Sequence, residues 1–168
     1  NTFSVLLSQP DGNYLRTDRN SGGVRATDVA TTDLNGDGFD DIIVTNEWID
    51  AQTKTYGNVA SFLNDGNGNF GNAAFKHVRG REIPRSVCAG DFDDDGLKDV
   101  AVASLRTGDI MILFGAGNGS WRTDARLFPV GNAPVSVSCT DADGDGRIDD
   151  IAFGRQRGSE VGLIHTSN

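Results

Sequence analysis

Three segments of this sequence repeat one arrangement of oxygen donors: DLNGDGFDD from Asp33 to Asp41, DFDDDGLKD from Asp91 to Asp99, and DADGDGRIDD from Asp141 to Asp150. They hold 14 of the 24 acidic residues in a chain of 168, against two bases, Lys98 and Arg147. Outside them stand 10 acids and 13 bases, so the formal net charge of −9 is a local property of these segments. Crowding four or five carboxylates into nine or ten residues costs roughly 1–4 kcal/mol per close pair unless a cation neutralises them.

The spacing says which cation. Oxygen donors recur at positions 1, 3, 5 and 9: Asp33, Asn35, Asp37 and Asp41; Asp91, Asp93, Asp95 and Asp99; Asp141, Asp143, Asp145 and Asp149. Gly38, Gly96 and Gly146 follow position 5, where a glycine lets the chain turn sharply around an ion. Position 7, occupied by Phe39, Leu97 and Arg147, would add a backbone carbonyl. A set of hard oxygen donors of this kind suits Ca²⁺, with three sites expected. An EF-hand opens in the same way but closes with a glutamate at position 12, where this chain has Val44, Val102 and Ala152. The runs that follow, DIIVT, DVAVAS and DIAFG, are short and rich in β-branched residues, so each loop joins two strands.

The loops begin 58 and 50 residues apart, and other features recur in phase with them. VRATDVATT, PRSVCAG and PVSVSCT precede them; NVASFL, DIMILF and EVGLIH follow one strand later. NDGNGNF and GAGNGSW are glycine- and asparagine-rich turns closing on Phe70 and Trp121, and SQPDGNY closes likewise on Tyr14. The unit is four antiparallel strands, and repeats of this length are most often propeller blades. The expected fold is all-β. Residues 1–23 would give strands 3 and 4 of a first blade, 24–80 and 81–130 two whole blades, and 131–168 an incomplete one. About three periods make a partial β-propeller, or one that closes by oligomerisation.

The loops DFDDDGLKDVAVAS and DADGDGRIDDIAFG, each preceded by a P-x-S-V strand, resemble the FG-GAP or VCBS repeats of integrin-like β-propellers. The resemblance spans essentially the whole chain, with Asn35 the one departure from D-x-D-x-D-G-x-x-D. It implies calcium in the loop between strands 1 and 2 of each blade, a secreted, extracellular setting, and a noncatalytic binding or adhesion module for a glycan or protein ligand. Some such repeats belong to polysaccharide-degrading enzymes, which leaves an enzyme domain as an alternative, and a purely structural segment of a larger secreted assembly as another. Further blades would come from another chain, another copy or a missing segment.

The remaining residues bear on partners. In integrin-like propellers the face opposite the calcium loops binds ligand, and here Asn46 to Asn58 forms a longer loop on that face, with Trp48 and Tyr56 as candidate contacts unless they pack on their own blade. Phe70, Trp121 and Tyr14 are expected to fill a packing slot. Arg79, Arg81, Arg85, Arg155 and Arg157 read as a solvated basic rim. Cys88 and Cys139, aligned on the loops, are offset by one residue and so point to opposite sheet faces; no disulfide between them is expected. His77 and His165 lack any catalytic spacing, and Asn118-Gly119-Ser120 is a glycosylation triplet on a turn. No nucleic-acid-binding motif is present, and no apolar run is long enough for membrane insertion. Asn1 and Thr2 leave no room for a signal peptide ahead of the first strand, as in a mature chain or a cytosolic one.

Overall fold

The structure, a computed structural model, describes residues 1–50, 55–77, 83–131, 133–156 and 160–166. Its elements are all strands: β1 (Thr2–Ser8), β2 (Tyr14–Asn20), β3 (Val24–Thr32), β4 (Asp41–Asp50), β5 (Thr55–Phe62), β6 (Ala74–His77), β7 (Pro84–Gly90), β8 (Asp99–Ser104), β9 (Asp109–Gly115), β10 (Trp121–Pro129), β11 (Pro134–Thr140), β12 (Asp150–Arg155) and β13 (Val161–His165). They form four antiparallel sheets: β1-β2, β3-β4-β5-β6, β7-β8-β9-β10 and β11-β12-β13. This is a partial β-propeller, with two four-stranded blades between a two-stranded and a three-stranded sheet.

Hydrophobic burial between successive sheets holds the array together. The β8 run DVAVAS is buried at every residue, which explains why it lacks the polar alternation of a one-sided strand. Val100 and Val102, with Met111 and Leu113 of β9, face the preceding blade and meet Ile43 and Val59. Ala101 and Ala103, with Ile110 and Ile112, face the following sheet and meet Ile151 and Phe153. One step earlier, Ile42, Val44, Ala60 and Phe62 pack against Phe3 and Val5. The outer faces of the terminal sheets are uncovered: Leu6 and Tyr14 are exposed on one, Val161 and Leu163 on the other. Tyr14 therefore leaves the expected packing slot, whereas Phe70 is buried and Trp121 packs on the interblade core.

Cys88 and Cys139 form a disulfide, contrary to the sequence expectation. Register gives the reason. Cys88 pairs with Ala101 and shares its face, toward the next sheet, while Cys139 pairs with Ile151 and faces back. Sheets in a stack meet through opposite faces, so the offset of one residue aims the two thiols at each other. Ala30 and Ala89 take the corresponding positions at the preceding interface.

Two polar features recur between blades. Each inner strand carries a register shift at the same place, at Thr27, Arg85 and Val135. Beside it, Asp28 Oδ2 accepts from the Val87 amide at 3.0 Å, and Ser86 Oγ from the Val137 amide at 3.2 Å. These contacts satisfy inner-edge amides that no neighbouring strand pairs.

The stretch from Asn46 to Asn58 is mostly strand rather than a loop, a second correction. β4 runs to Asp50 and β5 resumes at Thr55, with Trp48 in register with Tyr56 in an extended hairpin. Inside its base, buried Asn46 donates to Asn58 Oδ1 at 2.9 Å and to the Ser21 carbonyl at 2.7 Å.

The disulfide closes a loop of 51 residues. Replacing both cysteines by alanine should cost about 2–4 kcal/mol, read as a lower denaturation midpoint with a steeper slope, because the unfolded chain loses its cross-link and exposes more surface. Thiol labelling of the unfolded, unreduced chain should find no free cysteine.

Candidate metal centre

The three acidic loops connect β3 to β4, β7 to β8 and β11 to β12, at one end of three consecutive sheets. Their first aspartate organises each turn by accepting the loop's own amides. Asp33 Oδ2 accepts from Gly38 N at 2.8 Å, Asp91 Oδ2 from Gly96 N at 2.9 Å, and Asp141 Oδ2 from Gly146 N at 2.9 Å. Those glycines sit at φ of 88°, 81° and 90°, a left-handed conformation that a Cβ disfavours. The Gly38 amide, with those of Gly36, Asn35 and Asp37, holds the Asp33 carboxyl below its ordinary range. The fifth position repeats as well: Asp37, Asp95 and Asp145 each accept from the amide two residues on, at 2.8–2.9 Å.

The closing carboxylate is a buried latch. Asp41 Oδ2 accepts from Leu34 N at 2.9 Å and its Oδ1 from Asn64 N at 2.8 Å; Asp99 does the same with Phe92 N at 2.9 Å and Gly115 N at 2.8 Å. In the third loop the equivalent residue is Asp150, whose Oδ2 accepts from Ala142 N at 2.8 Å while Oδ1 contacts His165 Nδ1. The strand register agrees, because Asp41, Asp99 and Asp150 pair with Thr32, Gly90 and Thr140. The third loop is thus one residue longer than a count to Asp149 implies. The signal was in the sequence: DIIVT, DVAVAS and DIAFG begin at Asp41, Asp99 and Asp150. Asp149 lies beside the latch, 3% exposed.

Burial pushes the Asp99 carboxyl up to about 6, and the charges of Asp93 and Asp95 add to that. Burial likewise raises Asp41 and Asp149. Three carboxylate oxygens of the acidic loops, Asp91 Oδ1, Asp93 Oδ1 and Asp149 Oδ1, are buried without a hydrogen-bond partner, an arrangement that costs free energy unless a cation meets them. Oxygens of Asp91, Asp93 and Asp99 lie within 4.8 Å of one another, as do those of Asp141, Asp143 and Asp145. Both clusters could hold a metal ion, and an all-carboxylate donor set suits a hard divalent cation. The first loop, with Asn35 at its third position, brings together no such trio among the described residues; Asn35 Nδ2 instead donates to Asp37 Oδ2 at 2.9 Å.

The sequence profile of the FG-GAP-like repeat matches residues 33–102 and again 91–152, each match opening on the first aspartate of an acidic loop. The chain belongs to the FG-GAP-like repeat family. It is also 29% identical to integrin alpha-4 of Xenopus laevis over 156 residues, an alignment covering 82% of this chain. The match spans 15% of that protein's length.

Other residues singled out in the sequence take structural places in this FG-GAP-like array. Arg85 lies 4.0 Å from buried Glu47, which also meets Arg25 at 3.3 Å. Arg155 donates to the Val130 carbonyl at 2.8 Å and pairs with Glu160. Arg79, Arg81 and Arg157 lie outside the described residues. At the end opposite the loops, Ile83, Leu105, Arg106, Thr107, Ala133 and Gln156 line a cleft of about 550 Å³ between the third and fourth sheets, which the sequence did not reveal. Among the described residues no helix is long and apolar enough to cross a membrane.

Two predictions separate these carboxylates. Asp150→Ala should cost about 2–3 kcal/mol in EGTA by removing charge-assisted hydrogen bonds, whereas Asp149→Ala should be neutral or stabilising there; urea melts compare them. Because the folded state raises the Asp99 carboxyl, its stabilising contribution is full below about pH 4 and is lost as pH rises through about 6. In EGTA, the melting temperature of wild type relative to Asp99→Asn should therefore rise between pH 7 and pH 5.

Proposed function

We propose that this chain is a calcium-stabilised, noncatalytic binding module of the extracellular adhesion type, taking a protein or glycan ligand. The observation that carries the reading is the repeated loop with partnerless buried carboxylate oxygens beside converging aspartates. Asp33, Asn35, Asp37 and Asp41 would serve one ion; Asp91, Asp93, Asp95 and Asp99 a second; Asp141, Asp143 and Asp145, with Asp149 or Asp150, a third. The carbonyls of Phe39, Leu97 and Arg147 would complete them. When bound, calcium neutralises the loops and holds each first hairpin rigid. The disulfide supports an oxidising, secreted location.

The ligand surface in this reading is the end opposite the loops, where the Trp48 hairpin projects and the cleft lined by Leu105 and Gln156 opens. A concave site suits a sugar or a protein loop. Further blades, from the rest of a longer chain or from another copy, would cover the exposed Leu6, Tyr14, Val161 and Leu163.

Calcium at tenfold above its dissociation constant adds about 1.4 kcal/mol per site, so three sites should raise the melting temperature by about 10 °C over EGTA. An unchanged melting temperature in millimolar calcium would sink the metal assignment. A glycan array probed in calcium and in EGTA addresses the ligand class.

A further inference from the structure

Two residues break the repeat pattern of the acidic loops, in different blades, and the structure brings them together. At the fourth loop position Gly36 and Gly144 adopt φ of 77° and 82°, but the second loop places Asp94 there at φ 62°. A side chain in that left-handed conformation is disfavoured, though aspartate tolerates it better than most. At the seventh position, Phe39 and Leu97 lie against Gly66 and Gly117, in turns of their own blades. The third loop has Arg147 instead, and its guanidinium reaches across the blade boundary to Asp94, with Nη1 2.7 Å from Oδ1.

The same guanidinium serves its own loop. Nε lies 3.1 Å from Asp145 Oδ2 and Nη2 3.3 Å from Asp149 Oδ2. It is thus a tethered cation divided between the third loop's carboxylates and an anchor that belongs to the second. Among the described residues no basic side chain pairs with the carboxylates of the first loop. Arg122 also reaches the second loop, with Nη1 2.7 Å from Asp93 Oδ2 and 3.5 Å from Asp95 Oδ2, but it leaves Asp93 Oδ1 open and has no anchor in another blade's loop.

We infer that Arg147 is an intramolecular competitor for calcium at the third loop, and that Asp94 sets the strength of the competition by drawing the guanidinium toward the neighbouring blade. The inference rests on the calcium reading above and adds a regulation to it. Calcium must displace Arg147 from Asp145, which weakens the third site. Removing the guanidinium favours the ion; removing Asp94 returns the full charge of Arg147 to Asp145 and Asp149 and opposes the ion. The affinity of the third loop thereby depends on a residue of the second.

The hydrogen bonds from Gly38, Gly96 and Gly146 to their loops' first aspartates give each site its own reporter. Calcium titrations followed by the amide resonances of these three glycines in the full chain would compare wild type, Arg147→Gln, Asp94→Asn and the double variant. Arg147→Gln should tighten the Gly146 transition by about tenfold and leave Gly38 unchanged, as expected for deleting one positive charge beside a divalent ion. Asp94→Asn should weaken the Gly146 transition about threefold, and the double variant should match Arg147→Gln. If Arg147→Gln weakens or does not alter the third site, or Asp94→Asn acts equally with and without Arg147, the inference is wrong while the calcium assignment stands. If none of the three glycines responds to calcium in wild type, both fall. The Asp94→Asn variant, altered at an exposed position, keeps the test open should Arg147→Gln fold poorly.

Discussion

A blade in this array is stable only when both of its faces are covered, and that constraint organises the rest of the molecule. The third sheet satisfies it completely: β8 sends Val100 and Val102 to one neighbour and Ala101 and Ala103 to the other. With both faces committed to apolar contact, polar chemistry is confined to the strand ends. The acidic loops gather at one end, and the extended hairpin and cleft at the other. The recurring polar contacts from Asp28 and Ser86 lie at inner-strand edges that lack a pairing partner.

The acidic loops add a second constraint of opposite character. Each is built so that its first aspartate absorbs the loop's own amides and its last is buried against two amides or, in the third loop, an amide and His165. Hydrogen bonding therefore fixes the shape of the loop before the question of charge is met. What it leaves over, in Asp91, Asp93 and Asp149, is a set of buried oxygens that no backbone group reaches. The loop shape belongs to the polypeptide, and the unmet oxygens are where a cation enters the balance.

Most of this was legible because the repeat is written into the residues. Four-strand units, the two-sided apolar runs and the phase of the loops all follow from local periodicity. What could not be read depended on how sheets face each other. The one-residue offset between Cys88 and Cys139 looks like evidence against a bond within a single sheet frame, and becomes the requirement for one when sheets stack through opposite faces. A count from the loop's start ends on Asp149, whereas a count back from the strand ends on Asp150, the hydrogen-bonded latch. Tyr14 matches Phe70 and Trp121 in sequence but lies on an outer face with no neighbour among the described residues. The meeting of Asp94 and Arg147 spans 53 positions and has no local signature at all.

The position of the disulfide has a consequence for how this stack comes apart. The two terminal sheets are alike in having one bare face, so each depends on a single interface for its hold. The three-stranded sheet is covalently fastened through Cys139 to the blade beneath it; the β1-β2 hairpin is held without a disulfide, by the packing of Phe3 and Val5, by Leu7 against Gly68 and by hydrogen bonds such as Arg25 N to Asn1 Oδ1. Amide exchange in such an array is directional: the β1-β2 end opens as a small independent unit, while protection at the β11-β13 end is tied to that of the central blade.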